Sequence, residues 1–293
     1  MLISGGSSGT GLALAKKAHR LGATVVAGGR SQDRLAALAA ELGGDRFHPF
    51  IADLTDESAV GKQLDSLLAH GVRPTDLVHS AAGGFEPVTR RLVRRCVALR
   101  RVPQDQLAAA LDSARHEVEE WVAETIEGAM SINRDASRAF IDQVAARLPA
   151  GGSVSVYSGL WSTFYGRTPT PGFYRGIAES KLALEEWLEQ RASSLAERGI
   201  TTAIISGHII TDTSMGELID RFLVPLMSEA QQARFRSYYI TTADMVRATI
   251  TVLVEAPGHA ERGRLVRTYV IGPGQILDEL APSTPALADL IPL

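Results

Sequence analysis

Tyr174 and Lys181 stand seven positions apart in Phe173-Tyr174-Arg175-Gly176-Ile177-Ala178-Glu179-Ser180-Lys181. On a helix, positions 174, 177 and 181 fall on one face, so the two side chains can serve one site. A phenol can hydrogen-bond or protonate an oxygen that gains negative charge when hydride reaches a neighbouring carbon. A nearby ammonium lowers the phenol pKa, which predicts a depressed value for Tyr174. Packing of Tyr174 on Trp161 or Phe164 is the plainer alternative.

Such a pair needs a hydride source, and the other end of the chain offers a site for one. Ser4-Gly5-Gly6-Ser7-Ser8-Gly9-Thr10-Gly11 joins a short strand, Leu2-Ile3-Ser4, to an apolar-periodic helix from Leu12 to Leu21. Glycines let backbone turn tightly and approach a pyrophosphate at the helix N-terminus. Gly5, Ser7, Ser8, Gly9 and Gly11 are therefore expected to hold a dinucleotide. Arg30 ends the second strand in Gly28-Gly29-Arg30-Ser31, where such a fold meets the adenosine ribose. A cation there suits a 2′-phosphate and an acid a free hydroxyl. Asp33 comes only three residues later, so NADP(H) is expected over NAD(H).

The elements between these sites read as alternating strands and helices. Strands are expected at Thr24–Ala27, Phe47–Ala52, Asp76–His79, Ser153–Tyr157, Thr201–Ile205 and Arg267–Ile271. Helices are expected at Ser31–Leu42, Glu57–His70 and from about Tyr174 to Arg198. Apolar strands separated by helices predict an α/β fold, a doubly wound parallel sheet of Rossmann-like type. One domain over 1–293 is expected, with a helical insertion or lid at 86–128 and a substrate-binding loop at 212–240. The first strand reads as clipped, so a few residues are expected to be missing from the N-terminus.

The chain now resembles the short-chain dehydrogenase/reductase family over nearly its whole length. Its glycine loop is similar to that family's Thr-Gly-x-x-x-Gly-x-Gly, with Ser4 for Thr. Ser80-Ala81-Ala82-Gly83 stands where the family has Asn-Asn-Ala-Gly. Ser206-Gly207-His208-Ile209-Ile210-Thr211 resembles Pro-Gly-x-Ile-x-Thr without its proline. The resemblance implies that Asp53 and Leu54 lie at the adenine and Ala81 against the cofactor. It implies that Ile209 and Thr211 hold the nicotinamide end and Lys181 a ribose hydroxyl. Asn133 would anchor a proton-relay water, and Ser158 would give the substrate oxygen a second hydrogen bond. A dimer or tetramer is also implied.

Most members of that family use Tyr-x-x-x-Lys, yet four before Lys181 stands Ile177. Tyr-x6-Lys with an apolar residue at the usual tyrosine position resembles the enoyl-thioester reductases of fatty-acid synthesis. His79-Ser80 is a second, weaker likeness. The resemblance implies an acyl chain on carrier protein or coenzyme A as substrate. Serine at 158, where several enoyl reductases have tyrosine, points instead to a ketoreductase acting on a polyketide, lipid or other secondary metabolite. A non-catalytic NADP-binding scaffold is the reading from another class, and Tyr157 and Tyr165 are rival donors.

The remaining features set bounds. The 293 residues are 45% hydrophobic with a net charge of −3, which gives no global case for nucleic acid. No apolar run reaches the ~18 residues of a membrane span, no signal-peptide pattern is visible, and a cytoplasmic location is expected. No Cys/His spacing reads as a metal site, and the single Cys96 reads as a core residue. The insertion carries Arg90, Arg91, Arg94, Arg95, Arg100 and Arg101 over an apolar stripe. These arginines either meet an acidic carrier or coenzyme A phosphate, or pair with the acids downstream. Met215, Leu218, Ile219, Phe222, Leu223, Leu226 and Met227 predict an apolar substrate wall.

Overall fold

The computed structural model describes residues 1–167, 169–255, 266–272, 275–277 and 293. Residues 278–292 of the expected 1–293 domain lie outside the described residues. In chain order the first strands and helices are β1 (Leu2–Ser4), α1 (Gly9–Arg20), β2 (Val25–Gly29), α2 (Gln32–Leu42), β3 (Phe47–Ile51), α3 (Glu57–Ala69) and β4 (Asp76–His79). Then follow α4 (Glu86–Leu99), α5 (Leu107–Met130), α6 (Ser137–Ala145), β5 (Ser153–Gly159), α7 (Leu160–Thr163), α8 (Arg175–Glu197) and β6 (Thr201–Gly207). The last are α9 (Ser214–Leu218), α10 (Glu229–Arg236), α11 (Thr242–Glu255), β7 (Val266–Gly272) and β8 (Gln275–Leu277).

The strands form one sheet in the order β3-β2-β1-β4-β5-β6-β7-β8, parallel up to β7. This is the expected doubly wound fold. The antiparallel β8 at the edge was not foreseen. Strand order reverses between β1 and β4, which opens a crevice at their C-terminal ends where such sheets bind ligands. Gly5 sits in that crevice with φ +68°, and a Cβ there would lie 2.9 Å from the Ala81 amide nitrogen.

Each face of the sheet carries its own core. On one, Val154 and Val156 pack with Leu184, Leu188, Phe140 and Ile141 of α8 and α6. On the other, Tyr157 packs with Ile205, Met245 and Ala248. The two-residue period of β5 therefore sends Ser158 to the α8 side. Local signals explain the helix ends. Ser31 accepts the Arg34 amide hydrogen bond at 3.3 Å and Asp56 that of Ala59 at 2.9 Å.

The insertion forms two helices, and the second, ending at Met130, outruns the expected end of the insertion at residue 128. It passes through a π turn at Ser131–Ala136 straight into α6. The helices α4 and α5 join a third apolar cluster through Val88, Leu92, Cys96 and Leu99, with Val118 and Val122 facing them. A Cβ on Gly172 or Gly176 would lie 3.6 Å from Val118 or 3.5 Å from Val122, so the insertion lies directly on the tyrosine-bearing turn and α8. Arg91 pairs with Glu124 at 2.5 Å and Arg95 with Glu117 at 2.6 Å, while Arg100 reaches the Arg221 carbonyl. Pairing with downstream acids thus accounts for two of the six arginines. Exposed pairs of this kind contribute about 0–1 kcal/mol each, so the apolar stripe holds the helices together. Cys96 is wholly buried in that stripe, and burial pushes its thiol up to about 11.

Candidate active site

A cleft of about 190 Å³ runs from Thr10 at the glycine loop, past Ser80, to Tyr174 and Lys181. Tyr157, Ser158 and Gly159 of β5 form its floor, with His208, Ile209, Ile210, Met215 and Ile219 along the far wall. Of the seven apolar side chains expected in the 212–240 loop, Met215 and Ile219 line it. Leu223 and Met227 are buried in the cluster beneath.

At the nucleotide end the chain provides a cradle. The helix α1 begins at Gly9, earlier than its apolar period suggests, so the last glycines of the loop are its first turn. Ser8 caps it without a side-chain bond, and no acid occupies that turn. Its free amides suit a negative group. A Cβ on Gly11 would lie 2.4 Å from the Gly5 carbonyl, and one on Gly29 would lie 2.5 Å from the Ser7 hydroxyl. Arg30 has 70% of its side chain exposed and lies 3.7 Å from Asp53. Asp53 accepts two bonds from Thr55, which hold its carboxyl below the ordinary value. Leu54 packs partly on the core, and Thr211 bonds the Ile240 carbonyl through its amide. Ala81 donates its amide to Ser4. These residues could hold a nicotinamide dinucleotide, and Arg30 is a mostly exposed cation at the end of β2.

Behind the cradle lies a buried knot. Ser137 donates to the Ile132 carbonyl at 2.9 Å, so it accepts from His79 Nε2–H, also at 2.9 Å. His79 Nδ1 then accepts from Ser4 at 2.9 Å, and Ser4 in turn accepts the Ser80 and Ala81 amides. Burial drives the His79 pKa down to about 3, with the Lys181 charge adding to it. The ring is neutral and locks the two crevice-forming turns together.

Asn133 lies in the π turn. Its Oδ1 accepts from the Gly83 amide at 3.0 Å, and its Nδ2 donates to the Gly83 carbonyl at 3.1 Å and to Ser180 Oγ at 3.0 Å. The extra residue of a π turn is what aims this side chain between the β4 loop and α8. Asn133 thus ties the dinucleotide half to the lysine helix.

In the catalytic half, Ile177 is 4% exposed and gives no polar atom to the cleft. Tyr174 lies one turn earlier, packed edge-on to Trp161 with ring centroids 5.1 Å apart. Its ring packs on Trp161, and the residue also lines the cleft. Tyr165 instead donates to Glu179 at 3.0 Å, and Tyr157 shares a buried 2.7 Å bond with Thr249. Lys181 donates to the Tyr157 carbonyl at 3.3 Å. The Tyr174 pKa is not depressed. Burial pushes it up to about 12, the neighbouring Ser162 hydroxyl pulls it down, and Glu185 raises it further. Tyr174 is therefore a neutral hydrogen-bond donor near pH 7. Burial also lowers Lys181, and Glu185 opposes that fall.

Glu185 was not anticipated. It is 4% exposed, accepts from Ser158, and lies 3.2 Å from the Thr163 hydroxyl. Its sequence signal is a carboxylate four residues after Lys181, on the helix face that otherwise carries Leu184 and Leu188 inward. Ser158 therefore borders the cleft with its hydroxyl turned to Glu185. The residue facing the tyrosine is Gly159, where a Cβ would lie 3.2 Å from the Tyr174 hydroxyl. His208 also lines the cleft, stacked on Tyr238 at 5.3 Å, and burial lowers it to about 4. Among the described residues there is no metal-holding cluster and no helix long and apolar enough to cross a membrane.

Residues 1–222 match the family model described as short chain dehydrogenase. A stretch of 83 residues is 43% identical to serine 3-dehydrogenase of Agrobacterium fabrum, covering 28% of this chain and 32% of that protein. Another of 95 residues is 35% identical to a probable 2,4-dienoyl-CoA reductase of Caenorhabditis elegans, covering 31% of each. The alignments thus span about a third of these curated relatives. A short chain dehydrogenase from Burkholderia cenocepacia, solved in complex with NADP, superposes with a TM-score of 0.62 at 22% identity, covering 92% of this chain and 95% of that one. At that identity the likeness is one of fold.

Proposed function

The chain belongs to the short-chain dehydrogenase family, and on that premise we propose an NADPH-dependent reductase of the enoyl-thioester type. One observation carries the proposal: of the two tyrosines that line the cleft, Tyr157 has its hydroxyl bonded to Thr249, which leaves the phenol of Tyr174, one helical turn before the buried Ile177. In conjugate reduction the oxygen that gains charge lies two bonds beyond the carbon that receives hydride. A donor displaced by one turn suits that longer reach. The apolar wall of Trp161, Phe164, Met215 and Ile219 suits an acyl chain. The dienoyl-CoA reductase among the partial relatives is in keeping with such a substrate.

The bound dinucleotide supplies the hydride. Gly5, Ser7, Ser8, Gly9 and Gly11 would hold its pyrophosphate, Arg30 a 2′-phosphate, Asp53 and Leu54 its adenine, and Ala81, Ile209 and Thr211 its nicotinamide half. A relative from Haemophilus influenzae is named a probable NADP-dependent dehydrogenase, in keeping with the preference drawn from Arg30. Tyr174, neutral near pH 7, hydrogen-bonds or protonates the developing enolate oxygen, and solvent supplies the proton that ends on carbon. Lys181 holds a ribose hydroxyl and adds positive charge beside that oxygen. Asn133 acts by keeping α8 in register with the β4 loop. The insertion serves as a lid over the acyl end, and an oligomer is part of the reading.

Carbonyl reduction is the second reading, because Ser158 borders the cleft. Following NADPH oxidation with crotonyl-CoA and with a panel of ketones separates the two. Oxidation with ketones alone overturns the enoyl reading, and oxidation with neither returns the protein to a cofactor-binding scaffold.

A further inference from the structure

Among the described residues Glu185 is the buried acid, the preceding reading leaves it without a task, and its surroundings give it one. It is 4% exposed, one turn after Lys181 on the same face of α8. Hydroxyls approach it from two other elements. Ser158 of β5 donates to its Oε1, and Thr163 of α7 lies 3.2 Å from the same atom and is itself bonded to Ser206. The charged groups that act on it are Lys181 and Glu189, both on α8, and its own charge acts on Tyr174. A buried carboxyl with hydroxyls converging on one oxygen and an ammonium beside it can hold a proton or release it without losing its place.

We propose that Glu185 is a positioning residue whose charge state sets how strong a hydrogen-bond donor Tyr174 is. The inference rests on Tyr174 and Lys181 being the working pair. With Glu185 neutral, the Lys181 charge acts unopposed on the oxygen that Tyr174 bonds. With Glu185 ionised, its charge cancels that of Lys181 and makes the phenol a poorer donor. Glu185 also turns the Ser158 hydroxyl away from Tyr174 and toward α8. Burial raises Glu185 to about 7, so the change falls near neutrality. The signs agree, since Lys181 lowers Glu185 while Glu185 raises both Lys181 and Tyr174.

Glu185→Gln keeps an acceptor for Ser158 and Thr163 and removes the titration. Turnover of crotonyl-CoA with NADPH is expected to fall about tenfold between roughly pH 6 and 8 in the unmodified protein. That fall disappears in Glu185→Gln. Glu185→Leu loses both acceptor and charge, and its turnover drops by about tenfold or more while NADPH affinity shifts by less than about threefold. Melting temperature gives a readout that needs no substrate. A carboxyl raised in the folded state stabilises fully below its unfolded value and loses that contribution as pH rises to about 7. The unmodified protein should therefore lose melting temperature relative to Glu185→Gln across that window. Parallel melting curves, or identical pH profiles of turnover in the two proteins, overturn the proposal. No turnover of crotonyl-CoA by the unmodified protein sinks the enoyl reading instead, and the melting arm then decides this one.

Discussion

A Cβ placed on Gly159 would come within 3.2 Å of the Tyr174 hydroxyl. Gly159 has ordinary extended backbone, with φ −134° and ψ 154°, so nothing in the chain's conformation requires glycine there. What glycine provides is room beside the phenol. In Gly159→Ala the methyl group crowds that hydroxyl, and Tyr174 must shift by a few tenths of an ångström. Misplacement of a donor on this scale lowers turnover by about tenfold and leaves NADPH affinity within about twofold. Steady-state kinetics beside a cofactor titration reads both. Unchanged turnover would mean that the phenol does not work from this position.

The hydroxyl itself is tested by Tyr174→Phe. The ring stays packed on Trp161, so folding is preserved and only the donor is lost. Removing a positioned acid costs about 10²–10⁴-fold in turnover. The same change at Tyr165, which donates to Glu179 away from the cleft lining, is expected to cost less than about threefold. A reversal of that order would make Tyr165 the donor.

The strand and helix periods were enough to specify the sheet, because each buried strand reads as an apolar run and each glycine turn marks a helix boundary. The edge strand β8 was missed because Gln275–Leu277 is too short to show a period. The run of α5 through a π turn into α6 was not foreseen, for another reason. Its π turn is held by bonds from Asn133 to Gly83 and Ser180, which are distant in sequence. Glu185 was hidden in the same way. Nothing local marks a glutamate as buried until β5 and α7 bring Ser158 and Thr163 to it. The expected depression of the Tyr174 pKa failed because spacing says nothing of burial, which here raises the phenol, nor of Glu185, whose charge raises it further.

Arg30 tests the cofactor preference. It is mostly exposed and its contact with Asp53 is long at 3.7 Å, so the guanidinium can turn to a 2′-phosphate at small cost. A hydrogen bond to a charged group contributes about 1.5–3 kcal/mol. Arg30→Ala should therefore weaken NADPH binding by about 10- to 100-fold and leave NADH nearly unchanged. Fluorescence titration with both cofactors checks this, and equal losses for the two would remove Arg30 from the phosphate site.

Leu92 tests the insertion. It is 1% exposed within the cluster that joins α4 to Val118 and Val122 of α5. Truncating such a leucine costs about 2–5 kcal/mol, and the cavity would open in the layer that covers the tyrosine turn. Leu92→Ala should lower the melting temperature by several degrees and raise KM for an acyl thioester more than it changes NADPH affinity. A full loss of melting temperature with KM unmoved would make the insertion a structural layer with no part in substrate binding.

His79 gives the pH dependence of the fold. Its ring is 1% exposed, and burial lowers its pKa from 6.5 to about 3. The unfolded chain therefore takes up a proton below about pH 6.5 that the folded chain refuses. The contribution of the neutral ring is fully present above that value and is lost as pH falls toward the folded value, by about 1.4 kcal/mol per pH unit. Glu185 works in the opposite sense, because lowering the pH from about 7 favours its buried neutral form. His208, which burial lowers to about 4, works in the same sense as His79. Between roughly pH 5 and 6.5 the Glu185 slope therefore offsets one of the two histidine slopes, and the unmodified protein keeps the other. Glu185→Gln removes that offset, and melting temperature should then fall more steeply with acid over that range. Adding His79→Gln, which keeps polar atoms between Ser4 and Ser137, should bring the slope back to about that of the unmodified protein at a lower overall melting temperature. A slope that His79→Gln does not lessen would mean that other groups set it.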